Sequence, residues 1–271
     1  MLKNAYIFIL LLAILALSVG CSDFRRIQKN PDWKVKYDAA IKYYENKDYH
    51  RSTVLFDEIM PFIRGTQEGE LVQFYNAYAH YYQKQYLMGA HYFKLFYDTY
   101  NRSEHAEEAY YMYAYSLYKQ SPQFNLDQSS TIEAINAMQV FLNHYQNSKY
   151  RKEASTIMEE LIRKLELKAF ENAKQYYTIN YLKSAIIAFE NFSRDFPGSV
   201  YNEDVTYYKI ICAYKYAKQS IPSKQKERYY DCVEIYQNFV DEYSDSNYIK
   251  DAEDYYSNSL KAIENLTKHN L

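Results

Sequence analysis

The sequence predicts an all-α fold of about five helix pairs, and three observations support that prediction. Apolar residues recur at steps of three and four, as at Ala106, Ala109, Tyr113 and Leu117, whereas a strand would need strict alternation. Glycine and proline number only 5 each and stay out of these windows, as helix interiors require. A break that contains a serine recurs about every 50 residues, which is typical of repeat architectures.

Tyrosine dominates the composition, with 35 residues against a single tryptophan, Trp33. With only 5 glycines, the sequence has almost no candidates for glycine-rich phosphate-binding loops. Lys and Arg together number 32 and Asp and Glu 34, so there is no basic surplus of the kind that indicates nucleic acid as a partner. The composition favours a helical domain that is unusually rich in aromatic residues.

The N-terminal segment differs from the rest of the chain. Lys3 is followed by an uncharged stretch, residues 5–17, which is too short to span a membrane and is typical of a secretory signal. We therefore assign residues 1–20 to a signal peptide. The small residues before Cys21 resemble a bacterial lipobox, which implies that Cys21 is acylated and that residues 21–31 form a tether. An ordinary signal peptide with a chance cysteine is the alternative.

Four breaks divide the remaining chain into units. Each has an aromatic helix end, a short polar break and a serine, and the serines are Ser103, Ser148, Ser199 and Ser246. Three of the four serines are followed two residues later by a tyrosine. Because serine can satisfy free N–H groups at a helix start, we expect each serine to open a new helix pair.

Within the units, the spacing of small and aromatic residues resembles the tetratricopeptide repeat. The residues that carry this resemblance are Ala40, Tyr43, Tyr49, Ser52 and Phe56, and then Ala77, Tyr86, Gly89 and Phe93. The small residues let two helices approach closely and the aromatic ones fill the gaps. The expected pairs lie near 32–61, 70–101, 104–146, 150–197 and 200–268. They imply one tetratricopeptide-like α-solenoid over residues 32–268.

The whole pattern resembles the BamD/ComL family, the outer-membrane assembly lipoproteins of the β-barrel assembly machinery. Residues 126–131 (LDQSST), 165–177 (LELKAFENAKQYY) and 196–199 (FPGS) carry the likeness, together with the lipobox. Two departures are the loss of proline from three of the four breaks and the absence of glycine before Tyr181. The resemblance implies a lipid-anchored, non-catalytic protein of the outer membrane, at its periplasmic face.

The resemblance also implies a concave groove, lined by the first helices of the first three pairs, that binds unfolded barrel proteins. The candidate residues are Lys34, Tyr37, Ile41, Tyr44, Leu71, Phe74, Tyr78, Tyr82, Glu108, Tyr111, Tyr115 and Tyr118. Tyrosine suits a peptide groove because it combines a large ring with a hydroxyl and few rotatable bonds. Packing between helices is the competing explanation for each of these tyrosines. The C-terminal pairs are expected to bind the barrel-inserting subunit.

No constellation for catalysis or metal binding is evident. None of the six histidines stands four residues from another, as a helical zinc pair requires. We therefore expect no catalytic residue, no metal and no cofactor, and neither nucleic acid nor a small-molecule substrate as a partner. Cys212 and Cys232 are either a disulfide across a helical hairpin or two small buried residues.

Two other functional classes fit a helical-repeat lipoprotein. One is an envelope-division or cell-wall coordinator, although the sequence lacks the sustained heptads of a coiled-coil arm. The other is a glycan-capturing nutrient lipoprotein. A cell-wall hydrolase is a more distant alternative.

Overall fold

The computed structural model describes residues 23–268, which form twelve helices and no β-strand. Helix α1 comprises residues 23–28. The others are α2 (Trp33–Glu45), α3 (Tyr49–Ile63), α4 (Gln67–Tyr82), α5 (Tyr86–Thr99), α6 (Ala106–Gln120), α7 (Ser129–His144), α8 (Arg151–Thr178), α9 (Leu182–Asp195), α10 (Asn202–Lys218), α11 (Pro222–Glu242) and α12 (Ile249–Lys268). The all-α, tetratricopeptide-like fold is confirmed. The signal segment and Cys21 lie outside the described residues.

The helices pack in the order in which they follow along the chain. Helix pairs α6–α7, α8–α9 and α10–α11 fall within their predicted ranges, and α12 completes the last range. The pair α2–α3 ends two residues beyond its predicted range, and the pair α4–α5 begins three residues before its predicted range. In residues 23–268, no helix combines the length and the apolar character that a membrane span requires.

Small residues bring the two helices of a pair together, as their spacing predicted. Ala40 and Ser52 are fully buried, and the Ser52 hydroxyl donates to the Ala40 carbonyl at 3.1 Å. In the second pair, a Cβ atom on Gly89 would lie 3.4 Å from the backbone nitrogen of Tyr81. Phe93, one turn further along α5, is fully buried. A larger side chain at these positions would separate the helices.

The turns inside three of the pairs share one backbone conformation. Lys47, Lys84 and Asn180 have φ of 62°, 61° and 61°, in the left-handed region. In each turn this residue donates its N–H to the carbonyl three residues before it. A non-glycine residue in this conformation is strained. Asn180 stands directly before Tyr181, where the sequence lacks the glycine that the resemblance leads one to expect.

The breaks between pairs have a recurring hydrogen-bond pattern. Each break serine accepts, at its hydroxyl, the backbone N–H of the residue two positions later. Three of the four hydroxyls also donate to a glutamate on the first helix of the pair that has just ended. The bonds are Ser148 to Glu107 (2.6 Å), Ser199 to Glu166 (2.9 Å) and Ser246 to Glu203 (2.6 Å). The serines therefore join a break to the preceding pair as well as opening the next one.

Two residues after each serine, an aromatic ring stacks on the same preceding first helix. The stacked pairs are His105 on Phe74 (4.5 Å between ring centroids), Tyr150 on Tyr111 (4.3 Å), Tyr201 on Phe170 (5.1 Å) and Tyr248 on Tyr207 (4.3 Å). The tyrosine that the sequence repeats after the serine is thus a packing residue. His105 takes the same place in the one break that lacks the tyrosine.

The chain divides into two compact units. The first contains the described residues up to Pro122 together with Gln128–Leu161, and the second contains Gln123–Asp127 and the residues from Ile162 onward. The first unit is built on two clusters, one around Phe56 and one around Phe93 and Phe141. In the second unit, Phe189 and Phe239 are fully buried, each in a cluster of its own.

Residues 23–28 differ from the extended tether that we expected. They form a helix whose Phe24 and Ile27 pack against the core cluster of the first pair. The Phe24 ring lies 5.7 Å from that of Tyr43, and Gln28 donates to Glu58 at 2.8 Å. Apolar residues three apart give this short helix one apolar side, which explains the docking.

Candidate functional site

The twelve predicted groove residues lie on α2, α4 and α6, the first helices of the first three pairs. Lys34 and Tyr82 are exposed, and Tyr82 keeps 48% of its surface accessible. Eight others are half-buried, namely Tyr37, Ile41, Tyr44, Leu71, Tyr78, Glu108, Tyr115 and Tyr118. Ten of the twelve side chains therefore keep some accessible surface.

Many of these rings contact one another in a continuous series. We call this series the tyrosine surface, which consists of Tyr44, Tyr49, Tyr75, Tyr78, Tyr81, Tyr82, Tyr115 and Tyr118. In its first part, Tyr44 stacks on Tyr75 at 4.6 Å between ring centroids. Tyr82 stacks on Tyr49 at 4.9 Å and on Tyr78 at 5.6 Å. These contacts connect α2, α3 and α4.

The second part of the tyrosine surface continues onto α6. The ring of Tyr81 lies 6.1 Å from that of Tyr115, which in turn lies 5.6 Å from Tyr118. The ammonium of Lys119 lies 5.0 and 5.1 Å from the centroids of Tyr115 and Tyr118, within cation–π range. The Tyr118 hydroxyl donates to Glu160 at 3.0 Å. The surface thus ends beside the positive charge of Lys119.

Glu108 supplies a carboxylate to the tyrosine surface. The Tyr78 hydroxyl donates to it. Burial and, to a smaller extent, the bond to Glu108 raise the pKa of Tyr78. Burial, with smaller contributions from neighbouring tyrosines, raises the pKa of Tyr44 and raises the pKa of Tyr81 to about 12. These phenols are therefore neutral at physiological pH and keep their O–H groups for hydrogen bonding.

Phe74 and Tyr111 are not accessible, so the prediction that they line a groove is wrong. They expose only 5% and 3% of their surface. Each is covered by the aromatic ring that follows a break serine, His105 on Phe74 and Tyr150 on Tyr111. Conversely, the prediction omitted Tyr49, Tyr75 and Tyr81. Their participation depends on how α3 and α4 pack, which helical register alone does not give.

A protein-family model matches residues 29–171, just over half of the chain, and its description is YfiO, outer membrane lipoprotein. The chain belongs to the YfiO family. Its family assigns it to the lipoproteins of the outer membrane. The matched residues include the whole tyrosine surface. No curated protein sequence matches the chain at a significant level.

In this YfiO-family chain, most of the C-terminal pairs, which are the predicted partner-docking region, lie beyond the family match. Of the four tyrosines in and directly after α11, Tyr229 is buried and Tyr230 keeps 51% of its surface exposed. Tyr236 and Tyr243 are half-buried, and the Tyr236 ring stacks on Tyr256 at 4.5 Å between centroids. Tyr230 is therefore the most accessible of the four.

The two cysteines of the YfiO-family chain that lie in its described part are free and buried. Cys212 packs in the cluster around Phe189, whereas Cys232 packs in the cluster around Phe239. Burial raises the pKa of Cys212 to about 12 and also raises that of Cys232, so both are thiols at neutral pH. The sequence left open whether these cysteines form a disulfide or are two small buried residues, and the structure supports the second explanation.

Proposed function

We propose that this YfiO-family protein is a lipid-anchored, non-catalytic scaffold of the outer-membrane β-barrel assembly machinery. In this role it binds unfolded barrel proteins and the barrel-inserting subunit. The observation that carries the proposal is the tyrosine surface, which extends over three first helices inside the family-matched part of the chain. The lipobox-like sequence before Cys21 supports the anchor.

The chemistry of the tyrosine surface suits a segment of unfolded barrel strand. Such a segment presents unpaired backbone groups and alternating apolar or aromatic side chains. Neutral phenols offer both a ring face and an O–H group, and an aromatic pair contributes about 0.5–1.5 kcal/mol beyond burial. A few such pairs give weak and reversible binding, which allows the client to pass to the inserting subunit.

The anchor would hold the folded body close to the membrane. Only Ser22 stands between Cys21 and helix α1, whose Phe24 is packed on the first helix pair. Two or more acyl chains on Cys21 would make the attachment stable, because each buried methylene contributes roughly 0.8 kcal/mol. In this proposal the short connection limits how far the tyrosine surface moves from the bilayer.

The C-terminal helices are the proposed docking region for the barrel-inserting subunit. Tyr230 on α11 offers an accessible ring there. A hollow of about 440 Å³ between α9, α10 and α11 also carries both signs of charge, with Lys183 and Arg228 among the basic groups and Glu190 and Asp231 among the acidic ones. Such mixed charge suits a polar protein partner better than a single highly charged ligand.

Binding of a client peptide tests the proposal. The probe is a fluorescent peptide with the sequence of the last strand of an outer-membrane barrel, ending in phenylalanine. The test variant is Tyr82→Ala with Tyr118→Ala, and the control is Tyr176→Ala with Tyr181→Ala, which removes two exposed tyrosines from the second unit. We expect the test variant to bind about tenfold more weakly, the loss of one to two aromatic contacts.

Equal binding by the test and control variants would count against the tyrosine surface as the client site. The same assay separates the glycan-capturing alternative, since a soluble glycan that binds saturably and displaces the peptide would favour that class. Co-purification of a large barrel protein from solubilised envelope tests the second partner.

A further inference from the structure

Helix α1 fixes the point of the first unit from which the chain continues toward Cys21. The ring of Phe24, at the start of α1, lies 5.7 Å from that of Tyr43, which is in the last turn of α2. Gln28, at the end of α1, donates to Glu58, which lies more than two turns into α3. Helix α1 therefore begins beside the turn between α2 and α3 and runs away from it. Because two residues span at most about 7 Å, Cys21 stays close to that turn.

Several helix ends of the first unit meet at this place. Tyr49, which begins α3, stacks on Tyr82, which ends α4, at 4.9 Å between ring centroids. The ring of Tyr81 lies 6.1 Å from that of Tyr115, near the end of α6. We call this side of the first unit the turn edge, which consists of residues 23–26, 42–51, 81–88 and 115–120. The opposite ends of the same helices form the break edge, which consists of residues 29–35, 61–70, 98–106 and 145–153.

The turn edge carries an excess of positive charge. Five exposed basic side chains on it have no ion pair within residues 23–268, namely Arg25, Lys42, Lys47, Lys84 and Lys119. Of the acids on this edge, Asp23 and Asp48 each pair with an arginine, at 3.2 and 3.0 Å, and Glu45 remains. The break edge differs, because exposed carboxylates lie among its basic side chains, namely Asp32, Glu68, Asp98, Glu104 and Glu153.

Apolar side chains are exposed on the turn edge beside one of these lysines. Leu87 and Met88, in the first turn of α5, expose 66% and 42% of their surface. Lys84 stands three residues before Leu87. At a membrane surface, an aliphatic side chain reaches the boundary of the acyl chains while an ammonium stays among the phosphates. Free phosphate would match the lysines alone, so the combination favours a lipid layer.

We propose that the turn edge lies on the headgroups of an anionic phospholipid layer. This inference rests on the acylation of Cys21 proposed above, and it adds which side of the first unit faces the membrane. Acyl chains together with a basic patch are a double signal of the kind that makes membrane attachment stable. The Tyr82 end of the tyrosine surface then opens beside the bilayer, where a client has to be delivered.

Tryptophan fluorescence tests the orientation on the full mature lipoprotein. The protein is reconstituted in vesicles of phosphatidylethanolamine and phosphatidylglycerol that contain a lipid with a nitroxide quencher on its headgroup. Leu87→Trp reports the turn edge and Phe62→Trp the break edge, both in a Trp33→Phe chain. The two positions are similarly exposed, at 66% and 71%, and lie roughly one helix length, about 20 Å, apart.

We expect Leu87→Trp to lose most of its fluorescence in these vesicles and Phe62→Trp to keep most of it. Trp33 of the parent chain also stands on the break edge, so it gives that reading without any substitution. Vesicles of phosphatidylcholine alone, which carry no net charge, should quench Leu87→Trp less, because the lysines then lack an anionic partner.

Charge reversal provides the second arm. Lys47→Glu with Lys84→Glu should remove most of the quenching of Leu87→Trp. The matched control is Arg102→Glu with Lys152→Glu, which reverses two exposed charges on the break edge and should leave the quenching unchanged.

Flotation of the protein with the vesicles is measured first, so that two failures are distinguished. A chain that does not float would overturn both the anchor and this inference. A chain that floats, but in which the two tryptophan positions are quenched equally or the two charge reversals act alike, would overturn this inference and leave the proposed function standing.

Discussion

At the scale of single residues, three turns inside helix pairs contain a non-glycine residue whose backbone angles are strained. Lys47, Lys84 and Asn180 adopt left-handed backbone angles. Asparagine tolerates this region because its short polar side chain forms local hydrogen bonds, whereas lysine has no such compensation. The two lysine turns are therefore the places where a glycine would help most.

Replacement of Lys84 by glycine should raise the free energy of unfolding by about 1 kcal/mol. The relieved strain, about 1–2 kcal/mol, exceeds the entropy that glycine adds to the unfolded chain, about 0.4–1 kcal/mol. Urea denaturation followed by circular dichroism measures the difference. Lys84→Ala is the control, because it removes the long side chain but keeps the Cβ atom. A gain in the alanine variant equal to that in the glycine variant would contradict the explanation by strain.

Side-chain environment at this scale separates the accessible groove candidates from the buried ones. The sequence register placed the twelve groove candidates on α2, α4 and α6, where the structure has them. It did not reveal that His105 and Tyr150 cover Phe74 and Tyr111, because those contacts join residues about 30 to 40 positions apart.

At the scale of helices, the serine breaks hold consecutive elements together. The Ser148 hydroxyl donates to Glu107 at 2.6 Å and accepts the backbone N–H of Tyr150 at 3.0 Å. The serine therefore satisfies a backbone group at a helix start, as the sequence predicted. The bond to Glu107 could not be predicted, since that glutamate also suits the positive end of the dipole of its own helix.

Replacement of Ser148 by alanine should lower the free energy of unfolding by about 2 kcal/mol. The variant loses a hydrogen bond to a carboxylate and leaves a backbone N–H without its acceptor. Thermal and urea denaturation measure the effect. Thr156→Ala is the control, because the Thr156 hydroxyl donates only to the Lys152 carbonyl of its own helix, on an exposed part of α8. This variant should change the free energy of unfolding by about 0.5 kcal/mol or less. A loss no larger than that of the control would show that the break serine is not a structural contact.

Helix α1 shows where sequence analysis of elements is weakest. Residues 21–31 are predicted to be a tether because they follow the lipobox. The short helix at residues 23–28 depends on two side chains, Phe24 and Ile27, that pack against the first helix pair. A helix of this length is marginal alone, so its formation depends on tertiary packing that a local pattern does not report.

At the scale of the whole molecule, the many half-buried tyrosines link stability to alkaline pH. Burial raises the pKa of Tyr81 and Tyr110 from the ordinary value of 10.0 to about 12. Between these values the unfolded chain releases protons that the folded chain retains, so the free energy of unfolding falls as the pH rises. Stability from this source is complete below about pH 9 and is lost between about pH 10 and pH 12.

The expected result is an alkaline transition in which tyrosine ionisation and loss of helix coincide. Ultraviolet absorbance of tyrosinate and far-ultraviolet circular dichroism, recorded on one sample as the pH is raised, measure the two processes. If most tyrosines ionised near pH 10 while the helical signal stayed intact, the rings would be more accessible than the structure describes.

The central claim concerns function, and one measurement in cells tests it most directly. The chromosomal copy is depleted while a plasmid supplies the parent chain, the Tyr82→Ala and Tyr118→Ala variant, or the Tyr176→Ala and Tyr181→Ala control. The amount of folded outer-membrane β-barrels is then compared at equal levels of each lipoprotein. Depletion alone and the tyrosine-surface variant should both lower that amount, whereas the parent and the control should restore it. Barrel levels that stay normal after complete depletion would contradict the account.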